Sequence, residues 1–182
     1  MTNIIKAPIV KEEIDSLKAG DTIYLTGTIL TGRDSAHKRL IDILDDGRDL
    51  PIDIKDQVIF YVGPTPTPPN RPIGSAGPTT SIRMDAYTPR LLDLGLKGMI
   101  GKGERSKEVK DSIIKNRAIY FAATGGAGAL ISKSIKSSKV IAFDELGTEA
   151  IRVLEVVEMP LIVAIDTKGN DLYEIGRSKY KR

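Results

Sequence analysis

Between residues 21 and 30 the chain reads Asp-Thr-Ile-Tyr-Leu-Thr-Gly-Thr-Ile-Leu. This alternating, β-branched run predicts a strand, with Gly20 supplying the turn before it. The period then changes. After Thr31-Gly32-Arg33 the apolar positions Ala36, Leu40, Ile43 and Leu44 fall at helical spacing, with Asp34 or Ser35 as the expected cap and Gly47 as the stop. Arg33 is therefore expected at a strand-to-helix junction. A short apolar strand is expected over 58–62, and a helix over 88–94 with Pro89 in its first turn and Gly95 closing it.

Further along, apolar runs of buried-strand length occupy 98–101, 118–123, 140–143 and 161–165, separated by helical stretches near 106–115 and 127–135. Another strand is expected over 151–157. Such alternation predicts an α/β fold with a largely covered sheet. Neither an internal repeat nor a domain boundary interrupts the 182 residues, so a single domain over 1–182 is expected.

One segment breaks the pattern. Residues 61–85 hold six of the ten prolines, namely Pro64, Pro66, Pro68, Pro69, Pro72 and Pro78. Each removes a backbone donor and fixes φ, while Gly74 and Gly77 permit turns that other residues resist. The result should be a stiff, irregular loop. It ends in Ser75-Ala76-Gly77-Pro78-Thr79-Thr80-Ser81-Ile82-Arg83, a dense group of donors unlike a monotonous linker. That composition points to an anion-binding active-site loop.

Composition narrows the rest. The 27 basic and 24 acidic residues are interspersed, and a formal charge of +3 gives no reason to expect nucleic acid. The basic tail Arg177, Lys179, Lys181 and Arg182 reads as a solvated terminus. There is no cysteine, which excludes disulfides, thiol nucleophiles and thiolate-held iron-sulfur clusters from this chain. No apolar signal core and no run of membrane-spanning length is present, so a cytoplasmic protein is expected.

Familiar catalytic signatures are missing. Thr124-Gly125-Gly126-Ala127-Gly128 fails the dinucleotide spacing because residue 131 is Ile, and is expected to pack a helix end closely on the sheet. The sole histidine, His37, has neither a thiolate nor a second imidazole to build a metal site with, so a structural or rim role is expected; a contact to a ligand is the alternative. Arg33, Arg83 and Lys102 form the more specific set. Arg33 follows a strand, Arg83 closes the proline loop, and Lys102 lies between Gly101 and Gly103 after a buried strand, with Glu104 expected to open another helix. Ligands bind at strand ends in α/β sheets, and three cations there suit a small dianion.

The stretches Gly-Thr-Ile-Leu-Thr-Gly-Arg-Asp-Ser-Ala-His-Lys-Arg (27–39), Tyr-Val-Gly-Pro-Thr-Pro (61–66), Ser-Ala-Gly-Pro-Thr-Thr-Ser-Ile-Arg-Met-Asp (75–85) and Gly-Lys-Gly (101–103) are long and ordered. Together they resemble the β subunit, or C-terminal domain, of class I fumarate hydratases and L-tartrate dehydratases, over nearly the whole chain. The resemblance implies a swivelling β/β/α domain and a split enzyme. An α subunit would carry a 4Fe-4S cluster on three cysteines, and this chain would complete a site at the interface. By motif, Arg33 and Arg83 would hold substrate carboxylates, Lys102 would add a positive contact, and Thr79 would move the proton beside the departing hydroxyl. His37, Thr80 and Ser75 are further candidates at the same site, and no metal ligand is expected in this chain.

The expected reaction is reversible hydration of fumarate to (S)-malate, in a hetero-oligomer with the cluster-bearing chain, and isolated chains could pair as homodimers. Dehydration of L(+)-tartrate to oxaloacetate, and a non-catalytic dicarboxylate-binding module, are the alternatives. A neutral threonine hydroxyl is a poor general base, so Thr79 would need activation by nearby cations or would serve as a relay.

Overall fold

The computed structural model describes residues 3–123 and 128–180. Seven strands are present among them: β1 (Asn3–Ala7), β2 (Thr22–Thr31), β3 (Val58–Phe60), β4 (Gly98–Gly101), β5 (Ile119–Ala122), β6 (Ile135–Ala142) and β7 (Ile151–Ile165). They form one mixed sheet in the order β1-β2-β3-β4-β5-β7-β6. The first five run parallel to one another, whereas β7 is antiparallel to both β5 and β6. Antiparallel pairing of β7 with β2, from Thr22 opposite Ile162 to Leu30 opposite Val153, closes β2, β3, β4, β5 and β7 into a ring.

Both faces of the sheet are covered at β3, β4 and β5, and the side-chain period of two sorts their apolar runs between them. Val58, Phe60, Ile100, Ile119 and Phe121 join one core cluster with Ile23, Leu25 and Ile29. Ile59, Tyr61, Met99, Ala118 and Tyr120 belong to a second cluster, packed with Leu40, Leu91, Leu92, Val109 and Ile113 of the helices α2 (Asp34–Asp45), α3 (Thr88–Asp93) and α4 (Lys107–Asn116). Each fully buried residue of this size contributes about 1.5–3 kcal/mol relative to exposure. The α/β fold with a covered sheet is thus present. No helix among the described residues is long and apolar enough to cross a membrane.

Several local expectations change. The strands anticipated over 151–157 and 161–165 are one strand, β7, bent where Glu158 takes φ 51° and the register shifts opposite Leu25 and Gly27. Gly27 lies at φ 127° against β1, where a Cβ would overlap the Ala7 carbonyl. Pro160 fits because residues 157–161 have a strand neighbour only on the β2 side, an edge-like stretch that tolerates a missing N–H. Helix α2 has Arg33 at its N-cap with no side-chain cap bond, in place of Asp34 or Ser35. Helix α4 is opened by Ser106, which accepts from the Val109 N–H, and not by Glu104. Strand β6 begins at Ile135, well before the expected 140, directly after α5 (Gly128–Ser134). The sequence pattern left β1, the short α1 (Lys11–Ile14) and α6 (Leu172–Tyr180) unread. Arg177 and Lys179 of the basic tail lie in α6, where Arg177 pairs with Glu104, while Lys181 and Arg182 fall outside the described residues.

Candidate active site

Strand β2 ends at Thr31, and the Gly32 N–H donates to the Phe60 carbonyl, carrying the chain beside β3 before it turns into α2. This delivers Arg33 to the strand-end position. Gly63, just past β3, makes room for it: a Cβ there would lie 2.9 Å from Arg33 Nη1. Arg33 Nε lies 2.7 Å from Glu149 Oε1 and 3.2 Å from Asp34 Oδ2. The other oxygen of Asp34, Oδ1, accepts from Arg83 Nε at 2.7 Å. Asp34 therefore bridges the two arginines. Burial alone would raise its pKa, but its own backbone N–H, Arg33 and Arg83 together bring it below the usual carboxylate value.

Arg83 belongs to a 3₁₀ turn, Ser81–Met84, that continues the end of the proline loop. Just before it, Thr80 bridges Lys102 in parallel fashion, and the Ser81 N–H donates to the Lys102 carbonyl at 2.9 Å. The Thr79 N–H donates to the Tyr61 carbonyl at 2.6 Å. One short segment thus presents Thr79, Thr80 and Arg83 beside Arg33 on one flank and Lys102 on the other. Thr79 is half-buried, whereas Thr80, Arg83 and Lys102 are exposed. The site is an open face.

The loop that carries it is pinned at its middle. Thr65 and Ser75 exchange bonds, the Thr65 N–H to the Ser75 carbonyl and the Ser75 N–H to Thr65 Oγ1, and Gly74 has no room for a Cβ against Thr65. Ile73 and Ala76 are buried in the core. Ser75 itself is exposed and meets α5: a Cβ on Gly128 would lie 2.7 Å from its Oγ. Gly128 therefore packs against the loop. Residues 124–127 of the glycine cluster lie outside the described residues.

Beneath the face is a polar layer that sequence reasoning missed. Arg105, 4% exposed, donates from Nε to Asp85 Oδ1 at 2.7 Å and from Nη2 to Thr88 Oγ1 at 2.9 Å and Tyr61 OH at 3.3 Å. Its guanidinium also lies over the Tyr61 and Tyr120 rings. Burial works against its charge, but Tyr61, Asp85 and Tyr120 outweigh that and hold it protonated. Tyr120 OH donates to the Gly103 carbonyl and lies 2.9 Å from Ser81 Oγ, and a Cβ on Gly101 would overlap that oxygen. The layer ties the 3₁₀ turn bearing Arg83 to the strand end bearing Lys102. One signal was available: Tyr61 and Tyr120 alternate with Phe60 and Phe121, so their hydroxyls reach the face that needs polar partners.

His37 is fully buried and so does not reach the exposed face. Its Nδ1 lies 2.9 Å from the Arg33 carbonyl and donates to it, leaving Nε2 without a partner among the described residues. Its ring packs edge-on against Tyr61. Burial pushes its pKa down to about 4, so it is neutral.

The chain has no cysteine, and among the described residues no three His, Asp or Glu side chains gather as a ligand set.

A family model described as Fumarase C-terminus matches residues 2–176. Fumarate hydratase class I, anaerobic, of Escherichia coli K12 is 44% identical over 154 residues, which is 84% of this chain and 28% of that protein. Fumarate hydratase 2 of Leishmania major is 38% identical over 173 residues, 93% of this chain and 30% of that protein. The chain thus spans under a third of these fumarate hydratases. The L(+)-tartrate dehydratase subunit beta of Escherichia coli K12 is 34% identical over 177 residues, covering 94% of this chain and 87% of that subunit.

Proposed function

Because the chain belongs to the Fumarase C-terminus family, we propose that it is the β component of a two-chain hydro-lyase, supplying carboxylate-binding and proton-transfer groups to a site completed by a second chain. One observation supports this reading: Arg33 and Arg83 meet across Asp34 with their Nη groups unengaged by hydrogen bonds among the described residues, and the backbone bridge from Thr80 to Lys102 brings a third cation beside the segment that carries Thr79. A dicarboxylate has two charges to satisfy there, and an open face needs a second surface to exclude water. The 4Fe-4S cluster belongs in this reading to that second chain.

Fumarate is the proposed substrate. Hydration adds hydroxide to one alkene carbon and a proton to its neighbour, and the reverse step removes that proton from C3 of (S)-malate. Arg33 and Arg83 hold carboxylates, and fixed cations stabilise the negative charge that builds on the carboxylate beside C3 as the proton leaves. Thr79 is the proposed carrier of the proton. Its backbone is tethered to Tyr61, and in this reading its hydroxyl is activated by nearby cations or relays the proton. The higher identity to fumarate hydratases supports fumarate, while near-complete coverage of a tartrate dehydratase β subunit supports the two-chain organisation and keeps L(+)-tartrate as the second reading.

The test is anaerobic co-expression with a cysteine-bearing α chain, followed by assays on fumarate, malate and tartrate. Both chains together should turn over fumarate and malate, and neither alone should. Robust malate dehydration by this chain by itself would sink the shared-site reading.

A further inference from the structure

The bonding of Arg33 and Arg83 is lopsided. Arg33 Nε is held between Glu149 Oε1 at 2.7 Å and Asp34 Oδ2 at 3.2 Å, and Arg83 Nε donates to Asp34 Oδ1 at 2.7 Å. No hydrogen bond among the described residues engages the Nη atoms of either arginine. The two carboxylates are themselves anchored, Asp34 in the first turn of α2 and Glu149 at the end of the 3₁₀ turn Asp144–Glu149, where its Oε2 accepts from the Ser35 N–H at 3.2 Å. Three cations against two carboxylates leave the face with one net positive charge.

We infer that Asp34 and Glu149 are positioning residues that grip Arg33 and Arg83 through Nε, so that substrate carboxylates are received end-on by the paired Nη groups. A guanidinium can meet a carboxylate side-on, through Nε and one Nη, or end-on, through both Nη. Occupation of Nε removes the side-on option. The rotational freedom of two long side chains is removed before substrate arrives, and that ordering cost no longer falls on binding. Asp34 also fixes the two forks relative to each other, because one carboxylate holds both. The same two charges lower the local positive potential, so orientation is gained at some expense of raw anion affinity.

This inference rests on the hydro-lyase reading only for its kinetic arm. In the two-chain enzyme, Asp34→Asn should lower kcat about 10- to 100-fold, the scale of a misplaced substrate, while sulfate, a plain dianion, inhibits as well as or better than in wild type. A merely structural loss would weaken both. In an Arg83→Lys background the same change should cost less than it does in the wild type, because part of what Asp34 does runs through Arg83. Glu149→Gln should show the same split through Arg33. Wild-type kcat in both variants, weaker sulfate inhibition, or full additivity with Arg83→Lys would overturn the inference.

The second arm needs no turnover. ¹⁵N spectra of this chain should show protected Nε–H signals for Arg33 and Arg83, identified by their loss in Arg33→Lys and Arg83→Lys. Added succinate should shift the Nη signals and leave Nε in place, whereas transfer of Nε to succinate would refute end-on binding. If the two-chain enzyme proves inactive on every dicarboxylate while this pattern holds, the function reading fails and the clamp stands.

Discussion

Two groups of arginines in this fold live under opposite conditions. Arg105 is sealed in the interior, with Asp85, Thr88 and Tyr61 on its nitrogens and tyrosine rings against its faces. Arg33 and Arg83 are partly exposed, held at Nε and unengaged at Nη by any hydrogen bond among the described residues. A buried guanidinium must be saturated, because an unpaired buried charge is costly. One that binds a ligand must keep donors in reserve. Residual hydrogen-bonding capacity, more than charge, separates the buried arginine from the two proposed to bind a ligand.

The sharpest way to break this contrast is Thr79, the neutral group on the face proposed to act chemically. Thr79→Val keeps the shape, deletes the hydroxyl and should cut turnover of the reconstituted enzyme about 100- to 10,000-fold. Exchange of the malate C3 hydrogen with deuterated solvent should fall in parallel, and Thr80→Val should remain close to wild type. Full turnover in Thr79→Val with loss in Thr80→Val would move the chemistry by one residue.

On the buried side, Arg105→Met should lower unfolding free energy by about 3–5 kcal/mol, because Asp85 is left charged without its partner. Urea denaturation measures this directly. A loss under about 1 kcal/mol would mean that the layer is not saturated in the way described.

Arg83→Lys keeps the charge and loses the fork, so turnover should drop roughly 10- to 1000-fold with little change in stability. Arg117→Lys is the surface control, since Arg117 pairs with Asp15 in the open and should tolerate the change. Equal rates for the two variants would remove Arg83 from the site.

The smallest expected effect tests the buried imidazole. His37 is neutral in the fold, with its pKa pushed down to about 4 by burial, against an ordinary 6.5. Below pH 6.5 the unfolded chain takes up a proton that the folded chain refuses until near pH 4. Stability should therefore be full above about pH 6.5 and fall by about 1–2 kcal/mol on going to pH 5. The chain has no other histidine, so His37→Gln should flatten that slope in denaturation curves measured across this window.

Much of this was legible in the residue pattern. The two-sided burial of β3, β4 and β5 follows from continuous apolar runs of strand length, and the strand-to-helix junction at Arg33 follows from a change of period at Gly32. The proline loop was readable too, because proline and glycine act on the backbone locally. Motif resemblance singled out Arg33, Thr79, Arg83 and Lys102, and the fold joins Arg33 to Arg83 through Asp34 and lays Thr80 beside Lys102. The sequence could not show the unity of β7, since Glu158-Met159-Pro160 looks like a break until β2, bulged at Gly27, is laid beside it. Nor could it show β1, whose five residues become a strand by pairing with β2. Asp34, Glu149, Asp85 and Arg105 resemble any other charged residues in the sequence. Their partners are up to 116 positions away, as with Arg33 and Glu149, and only chain closure makes them neighbours. Local periodicity reports which face a residue takes; which charge meets which is decided by long-range packing, and that packing assigns each arginine its role.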